Sequence, residues 1–398
     1  MASKDIAIIG GGASGLLCAI TCAQKGLRVH IYEQNNKLAK KILVSGNGHC
    51  NITNTNLCTQ SYFSQNPTFV EDALKRFGYK ESKKFMNELG IIFDETEDGR
   101  VYPLSHEAKN VVHILQAHAE ILGVTIHYNT KITTLTPLLQ KYDAVVLATG
   151  SPAASHLGGC EDGALLAQEC NHTIHPFYPS LVQLESDDPA LHAMAGVKLV
   201  AEVTLFVNGV AQEHIQGDIL FTNYGISGLA ILDISQHASI ALEQYYCVDI
   251  ALKLLPEFTA QQLAHHIQQY VKKLPKHTIT TILKIYLPTK VTTTLLKKLS
   301  IDPETPIQRL NVKQIKNIAN TIQNWRFAIT QTHGFKHAEV CGGGIDTTQI
   351  DPVTFQSKYH NKLYCIGEVV DVVGKRGGFN FAFAWASGYL AAQAIIKS

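Results

Sequence analysis

The sequence predicts an α/β protein: a Rossmann-like nucleotide-binding domain built from both chain ends, interrupted by an inserted β-barrel and helical domain. Three observations predict it. A strand–glycine–helix–strand unit opens the chain, a hairpin pattern foreign to a parallel sheet begins near residue 186, and a glycine-to-helix turn follows an apolar strand near the end.

Residues 5–10 (DIAIIG) form a short β-branched run, glycines follow, and residues 14–25 read as a helix. Residues 28–33 (RVHIYE) form the next strand, which completes a βαβ unit of a parallel sheet. Helical periodicity occupies 66–90 and 105–122, and strands return at 124–128 and 143–149. The run KLVAEVTLFVNGVA then alternates apolar and polar residues about Asn208–Gly209, a hairpin signal. Prolines punctuate short helices over 256–323, and 325–332 (WRFAITQT) is again a strand. The expected boundaries are therefore 1–185 and 339–398 for the nucleotide-binding domain and 186–338 for the insert. Within the insert, a barrel takes about 186–250 and 325–338, and helices take about 251–324.

At 398 residues the chain is long enough for two or three domains. With 45% hydrophobic and 17% charged residues it is not disordered. Lys plus Arg minus Asp plus Glu is 34 − 33 = +1, so no global field draws the chain to nucleic acid or anionic lipid. The N-terminus has no secretory pattern, and polar residues interrupt the apolar stretch 381–396 before it reaches a membrane span. Nine unpaired-looking cysteines fit reduced thiols, with Cys18 and Cys22 as helix filler. The expectation is a cytoplasmic protein with a small-molecule substrate, no nucleic-acid partner and no membrane contact; the sequence leaves the oligomeric state open.

Gly10, Gly12 and Gly15 match G-x-G-x-x-G between a strand and a helix. Gly10 allows the tight turn, Gly12 the close approach of a pyrophosphate, and Gly15 the packing of helix on sheet. Glu33, 18 residues after Gly15 (33 − 15), is placed to accept both hydroxyls of an adenosine ribose. Two further segments select the dinucleotide. Residues 40–54 (KKILVSGNGHCNITN) form a glycine- and amide-rich loop suited to a polar ring edge. In 367–380 (GEVVDVVGKRGGFN), Glu368 follows a strand and Gly377–Gly378 open the last helix. The helix dipole there stabilises a reduced flavin by about 0.3–2 kcal/mol. An extended FAD uses both chain ends, whereas NAD alone does not need the distant one.

On GGGASG, KKILVSGNGHCNITN, GDILFTNYGISGLAILDIS (217–235), GGGID (342–346) and GEVVDVVGKRGGFNFAFAWASG (367–388), the chain resembles a bacterial family of FAD-binding flavoproteins. These are the aminoacetone-oxidase-like and NAD(P)/FAD-dependent oxidoreductases, kin to some bile-acid-reducing flavoproteins. The resemblance covers nearly the whole chain. It implies a two-dinucleotide-binding FAD domain with the insert described above, and flavin contacts at Gly10, Gly12, Gly15, Glu33, Lys41, Ser45, Gly46, Asn51, Gly367, Glu368, Gly378 and Asn380. The neighbouring Ala13, Ser14, Gln34, Thr149, Gly150 and Phe379 complete the expected cofactor set. The chain departs from the family pattern at His49, at Asn223 within Phe221–Thr222–Asn223, and at Leu229, Phe379 and Ala382. Most of these positions face substrate in the family, so the resemblance transfers the flavin more firmly than the substrate.

Cys50 invites a disulfide-reductase reading, but position 55 is Thr55 and the next cysteine is Cys58, which lacks dithiol spacing. No second G-x-G-x-x-G follows a strand, so NAD(P)H has no domain of its own: either it is a transient electron donor on the face the substrate uses, or another donor serves. No C-x-x-C or G-x-S-x-G occurs, and no metal site is expected. Redox chemistry carried by FAD remains, on a small organic substrate by hydride transfer, with no catalytic side chain assigned. Two alternatives stand beside it: a non-catalytic redox sensor, and an RNA-modifying flavoprotein. Residues 250–320 do not read as strongly basic, which disfavours RNA. The insert's stretch 221–228 (FTNYGISG) reads as a loop over an aromatic ring, with Asn223 and Tyr224 as substrate contacts; a plain barrel hairpin is the competing reading.

Overall fold

The computed structural model describes residues 3–398. Two compact units result: Met1–Pro179 with Ala338–Ser398, and Ser180–His337.

The first unit is built on a five-stranded sheet in the order Leu363–Cys365, Ala144–Leu147, Asp5–Ile9, Arg28–Tyr32, Thr125–His127. Every pairing in it is parallel. Parallel strands are buried on both faces, which is why IAII after Asp5 and AVVL are continuously apolar rather than alternating. The strand Leu363–Cys365 lies on the far side of Ala144–Leu147 from the first strand, so both chain ends contribute to one sheet.

Helix Ala13–Ala23 leaves the first strand and stops earlier than the 14–25 expected, because Gly26 at φ +79° turns the chain back. It packs against the last helix, Phe379–Lys397. A Cβ at Gly388 would lie 2.4 Å from the Ser14 carbonyl oxygen, so only glycine permits this approach. The last helix is long and apolar enough to cross a membrane, yet Trp385, Ala386, Ala391 and Ile395 are fully buried in the domain core. Its apolarity is used for packing.

The second unit begins at Ser180, ahead of the expected 186. The physical reason is that Leu184–Glu185 is already a barrel strand, paired with Gly225–Ser227 and with Gln331–Thr332. The sheet runs 325–329, 248–253, 198–207, 210–221, 225–227, 184–185, 331–332. Its two end strands are consecutive in sequence, so the run 325–332 pairs by one half with Val248–Lys253 and by the other with Leu184–Glu185. The sheet thereby closes into a barrel. Its long hairpin turns at Asn208 (φ +50°) and Gly209 (φ +78°), the left-handed pair that matches strand twist.

The helical part comprises Ala260–Lys273, Ile279–Leu283, Thr289–Lys298 and Val312–Gln323. Capping boxes start two of them, Thr259 with Gln262 and Asn311 with Gln314. Leu263, Ile267, Ile315, Ile318 and Ile322 join Ile250, Leu252, Trp325 and Phe327 in one buried cluster.

Candidate functional site

The glycine turn is held by close backbone approach. Gly10 has φ +104° and donates its N–H to the Tyr32 carbonyl at 2.9 Å; a Cβ there would meet the Ala148 oxygen at 2.3 Å. A Cβ at Gly15 would meet the Gly10 oxygen at 2.1 Å, so helix and turn are in contact. Gly12 is different: it is the N-cap of Ala13–Ala23, no side chain caps it, and a Cβ there would meet nothing within 4 Å. The first turn, with Ala13 and Ser14, therefore presents unpaired N–H groups toward open space, as a pyrophosphate site requires.

Glu33 lies just past the second strand, 7% exposed. Its Oε2 accepts the Gly11 N–H at 2.9 Å, and its Oε1 accepts the Asn35 backbone N–H at 2.8 Å and the Asn35 amide at 2.7 Å. Among the described residues no cation pairs with it. A buried carboxylate held only by N–H donors keeps lone pairs for ribose hydroxyls. Gln34 donates to the Gly158 carbonyl at 2.8 Å and so fixes the turn that follows the fourth strand of the sheet order. Beside Gly10, the buried Thr149 hydroxyl has no partner, and Gly150 at φ +77° borders empty space.

The two distant glycine-rich segments meet. In the amide orientation that satisfies both of its ends, Asn51 donates to the Val101 and Thr53 carbonyls and accepts from the Gly378 N–H at 3.3 Å. Asn54 donates to the Gly377 carbonyl at 2.8 Å, and the Trp385 indole to the Ile52 carbonyl at 2.8 Å. Gly378 caps the last helix at φ +95°, where a Cβ would lie 2.2 Å from the Thr53 oxygen. Lys41 extends this joint: its ammonium is 2.7 Å from Glu368 Oε2, which also accepts from the Ser151 hydroxyl at 3.0 Å. Both bonds fall on Oε2, which leaves Oε1 for another donor. Gly367 (φ +72°) sits against Ser14, where a Cβ would be 2.5 Å from its hydroxyl.

Several expected contact residues serve the backbone. Ser45 donates to the Ile42 carbonyl, Gly46 turns the loop at φ +55°, and Asn380 spends both ends of its amide on Gly374. Phe379 packs edge-on against Tyr62, whose hydroxyl donates to the Phe379 carbonyl. Cys50 is fully buried and burial pushes its thiol up to about 12, opposed by a hydrogen bond with Ser45; Cys58 is exposed. No group of metal-ligating side chains occurs among the described residues.

In the barrel, Thr222–Tyr224 is the tight turn between Val210–Phe221 and Gly225–Ser227, closed by the Thr222 N–H on the Gly225 carbonyl at 2.9 Å. The stretch is a barrel hairpin rather than a free loop. Asn223 is exposed. Tyr224 stacks on His333 at 3.9 Å between ring centroids, and His333 Nδ1 lies 2.5 Å from Glu185 Oε1. His337 adds a third ring, 4.1 Å from His333. Burial raises the Tyr224 pKa. Burial also opposes ionisation of Glu185, but hydrogen bonds with Gln331 and His333 hold its carboxyl below the ordinary range. His333 and Glu185 escaped the sequence reading because they lie far from Tyr224 in the chain; only barrel closure brings them together.

Fold and site together define a flavoprotein of the FAD-binding Rossmann class, with a bipartite ring joint that a single nucleotide would not need. The HI0933-like protein Rossmann domain matches residues 4–394, and the chain belongs to that family. It is an FAD-dependent oxidoreductase. The chain is 33% identical to a 3-dehydro-bile acid delta(4,6)-reductase of Clostridium scindens, over 98% of this chain and 99% of that one. It is 31% identical to a ribosomal RNA dihydrouridine synthase of Haemophilus influenzae, over 98% of both. Among solved structures, a 3-ketosteroid delta1-dehydrogenase of Sterolibacterium denitrificans covers 100% of both chains with a TM-score of 0.50 at 10% identity, a likeness of fold.

Proposed function

We propose that the chain is a reductase of carbon–carbon double bonds conjugated to a carbonyl group, with NAD(P)H as electron donor. The observation that carries this reading is a convergence. Two full-length relatives, a bile acid delta(4,6)-reductase and a dihydrouridine synthase, are named for unrelated substrates, yet both names describe saturation of such a bond. FAD, when bound, supplies a store for one hydride between donor and substrate. The protein's part is to bind and orient. The N–H groups after Gly12 hold the pyrophosphate, Glu33 the ribose, and Glu368 Oε1 the ribityl chain, with Lys41 fixing that carboxylate. The joint of residues 45–54 with Gly377–Phe379 cradles the ring. Asn223 and Tyr224 contact the substrate, and the Glu185–His333 pair orients Tyr224. In the overall reaction a hydride adds to the carbon β to the carbonyl and a proton to the α carbon, so NAD(P)H is oxidised as the bond is saturated.

The test is anaerobic mixing with NADH and with NADPH, followed by a 4,6-dien-3-oxo steroid. Bleaching of the flavin and its recovery on adding the dienone, but not the saturated ketone, supports the reading. Failure of both nucleotides to bleach it sinks the reading and favours a redox sensor; bleaching that the dienone does not reverse sinks the steroid form of the reading. A second form of the same reading, in which the conjugated carbonyl belongs to a uracil within RNA, is favoured by the charge of residues 251–324, where ten lysines and Arg309 stand against Glu257, Asp302 and Glu304, 11 − 3 = +8.

A further inference from the structure

The proposed reduction needs a proton for the α carbon, and the 40–54 segment holds one side chain suited to give it. Four titratable groups occur there: Lys40, Lys41, His49 and Cys50. Lys40 donates to the Asn35 amide oxygen at 2.8 Å, and Lys41 pairs with Glu368. Cys50 is buried, with its thiol pushed up to about 12. His49 is exposed, and imidazole is the side chain that takes up and releases a proton near neutral pH.

The loop is built to aim that ring. Gly46, Asn47 and Gly48 (φ +55°, +56° and +88°) precede His49, Cys50 (φ +59°) follows it, and the His49 N–H closes the turn on the Gly46 carbonyl at 3.1 Å. His49 Nδ1 lies 2.9 Å from the His106 carbonyl oxygen. A carbonyl only accepts, so Nδ1 carries its hydrogen and Nε2 is the site that takes the second proton. His106 is itself left-handed at φ +50°, and its ring is held on both sides. Its Nε2 lies 2.6 Å from Asp94 Oδ2, and it stacks on Tyr102 at 5.4 Å between centroids. Asp94 and Tyr102 face each other across strands Phe93–Glu95 and Arg100–Pro103, and the second of these pairs with Thr53–Asn54. Tyr102 closes the circuit, since a Cβ at Gly46 would lie 3.6 Å from its ring. Three non-glycine residues of this one network, Asn47, Cys50 and His106, thus hold left-handed backbone, the kind of strain that gathers at functional sites. Helix Ala108–Ile121 also packs on the loop and carries Lys109, His113, His118 and Glu120.

We infer that His49 Nε2 gives the α carbon its proton. The inference rests on the reductase reading and adds the acid which that reading lacks. As the β carbon takes the hydride that NAD(P)H supplied, negative charge develops on the conjugated carbonyl oxygen. The Nε2–H bond then breaks, its proton forms the α C–H bond, and the imidazolium becomes neutral imidazole. The His106 carbonyl fixes the ring meanwhile, and solvent returns a proton to the exposed side chain before the next turnover.

The experiment uses the FAD-loaded full chain as wild type, as His49→Gln and as His113→Gln, the last an exposed histidine of the packed helix. Absorbance of the bound oxidised flavin is followed from about pH 5 to 8. A one-proton step should appear in the wild type and in His113→Gln and be missing from His49→Gln. Protein reduced with dithionite is then reoxidised anaerobically, either by the 4,6-dien-3-oxo steroid, which needs a proton at carbon, or by ferricyanide, which takes electrons alone. His49→Gln should slow the dienone step about hundredfold or more. Reoxidation by ferricyanide and reduction by NAD(P)H should keep their wild-type rates.

A spectral step that survives in His49→Gln overturns the inference, as does a wild-type dienone rate in that variant. Equal slowing with ferricyanide overturns it in favour of a structural role. A dienone that fails to reoxidise even the wild type ends the steroid form of the reductase reading. The flavin spectrum then decides His49 by itself: loss of the step in His49→Gln supports its place at the ring, and persistence overturns it.

Discussion

The Lys41 ammonium lies 2.7 Å from the Glu368 carboxylate, and this contact ties the 40–54 segment near the start of the chain to the glycine segment near its end. The two side chains are 30% and 19% exposed, so solvent screens the pair only in part. A double-mutant cycle with Lys41→Met and Glu368→Gln should give a coupling energy of about 1 kcal/mol, the upper end for surface pairs. Urea unfolding of the four proteins measures it. Additive effects would show that the pair does not link the segments.

Glu33 makes a sharper prediction about the cofactor. Its carboxylate receives three N–H bonds and, on the proposed reading, two ribose hydroxyls. Glu33→Lys places a cation beside the Gly11 and Asn35 donors and removes the acceptors. Each charge-assisted bond is worth about 1.5–3 kcal/mol, so FAD should bind at least about tenfold more weakly. The absorbance ratio of flavin to protein after gel filtration reads this directly. Full FAD occupancy in Glu33→Lys would remove Glu33 from the site.

How far these features can be read from sequence depends on the range of the interaction. Gly10, Gly12, Gly15 and Glu33 are legible because the turn, the helix start and the acidic strand end all lie within one βαβ unit. The Asn208–Gly209 hairpin is legible for the same reason. The joint of Asn51 with Gly378 is half legible: both segments are rich in glycine and amide, but only folding puts one on the other. Tyr224, His333 and Glu185 meet solely through barrel closure, which carries no local signal. The charge of residues 251–324, ten lysines and Arg309 against three carboxylates, is countable in the sequence and corrects the reading of 250–320 as not strongly basic. The whole-chain balance hides it, since acidic residues elsewhere cancel it.

Cys50 and Cys341 set an alkaline limit. Burial raises both thiols from 9.0 to about 12. A thiol held neutral in the folded state contributes stability that is complete below the unfolded value near 9 and is lost as pH rises toward 12. Urea midpoints should therefore hold up to about pH 9 and fall above it, and the fall should be shallower in Cys50→Ala/Cys341→Ala. Alkylation at neutral pH should reach exposed Cys58 and spare Cys50. Rapid labelling of Cys50 in the folded protein would contradict this and revive a redox role for it.

Tyr224→Ala tests the barrel cluster. The variant removes the ring stacked on His333 but no backbone bond of the hairpin, because the Ser186 N–H bonds to the Tyr224 carbonyl. On the substrate-contact reading, turnover should fall about tenfold or more with FAD content unchanged, and Tyr224→Phe should recover the part that depends on stacking. A purely structural role predicts instead a lowered unfolding midpoint with wild-type kinetics at low temperature.

Gly12 and Gly378 separate cofactor binding from folding most cleanly. A methyl at Gly378 would lie 2.2 Å from the Thr53 oxygen and 2.8 Å from the Asn51 side-chain amide, at φ +95°. Gly378→Ala must break the joint between the 40–54 segment and the last helix, and should cost about 1–3 kcal/mol of stability with or without FAD. A methyl at Gly12 would touch nothing within 4 Å, at an ordinary φ of −80°. Gly12→Ala should leave the apoprotein as stable as the wild type, within about 0.5 kcal/mol. If the open space beside Gly12 is the pyrophosphate path, that same methyl fills it, and FAD affinity should fall about tenfold or more. Thermal unfolding of the apoproteins together with FAD titration separates the two effects. A Gly12→Ala protein that binds FAD like the wild type would move the pyrophosphate away from this helix start.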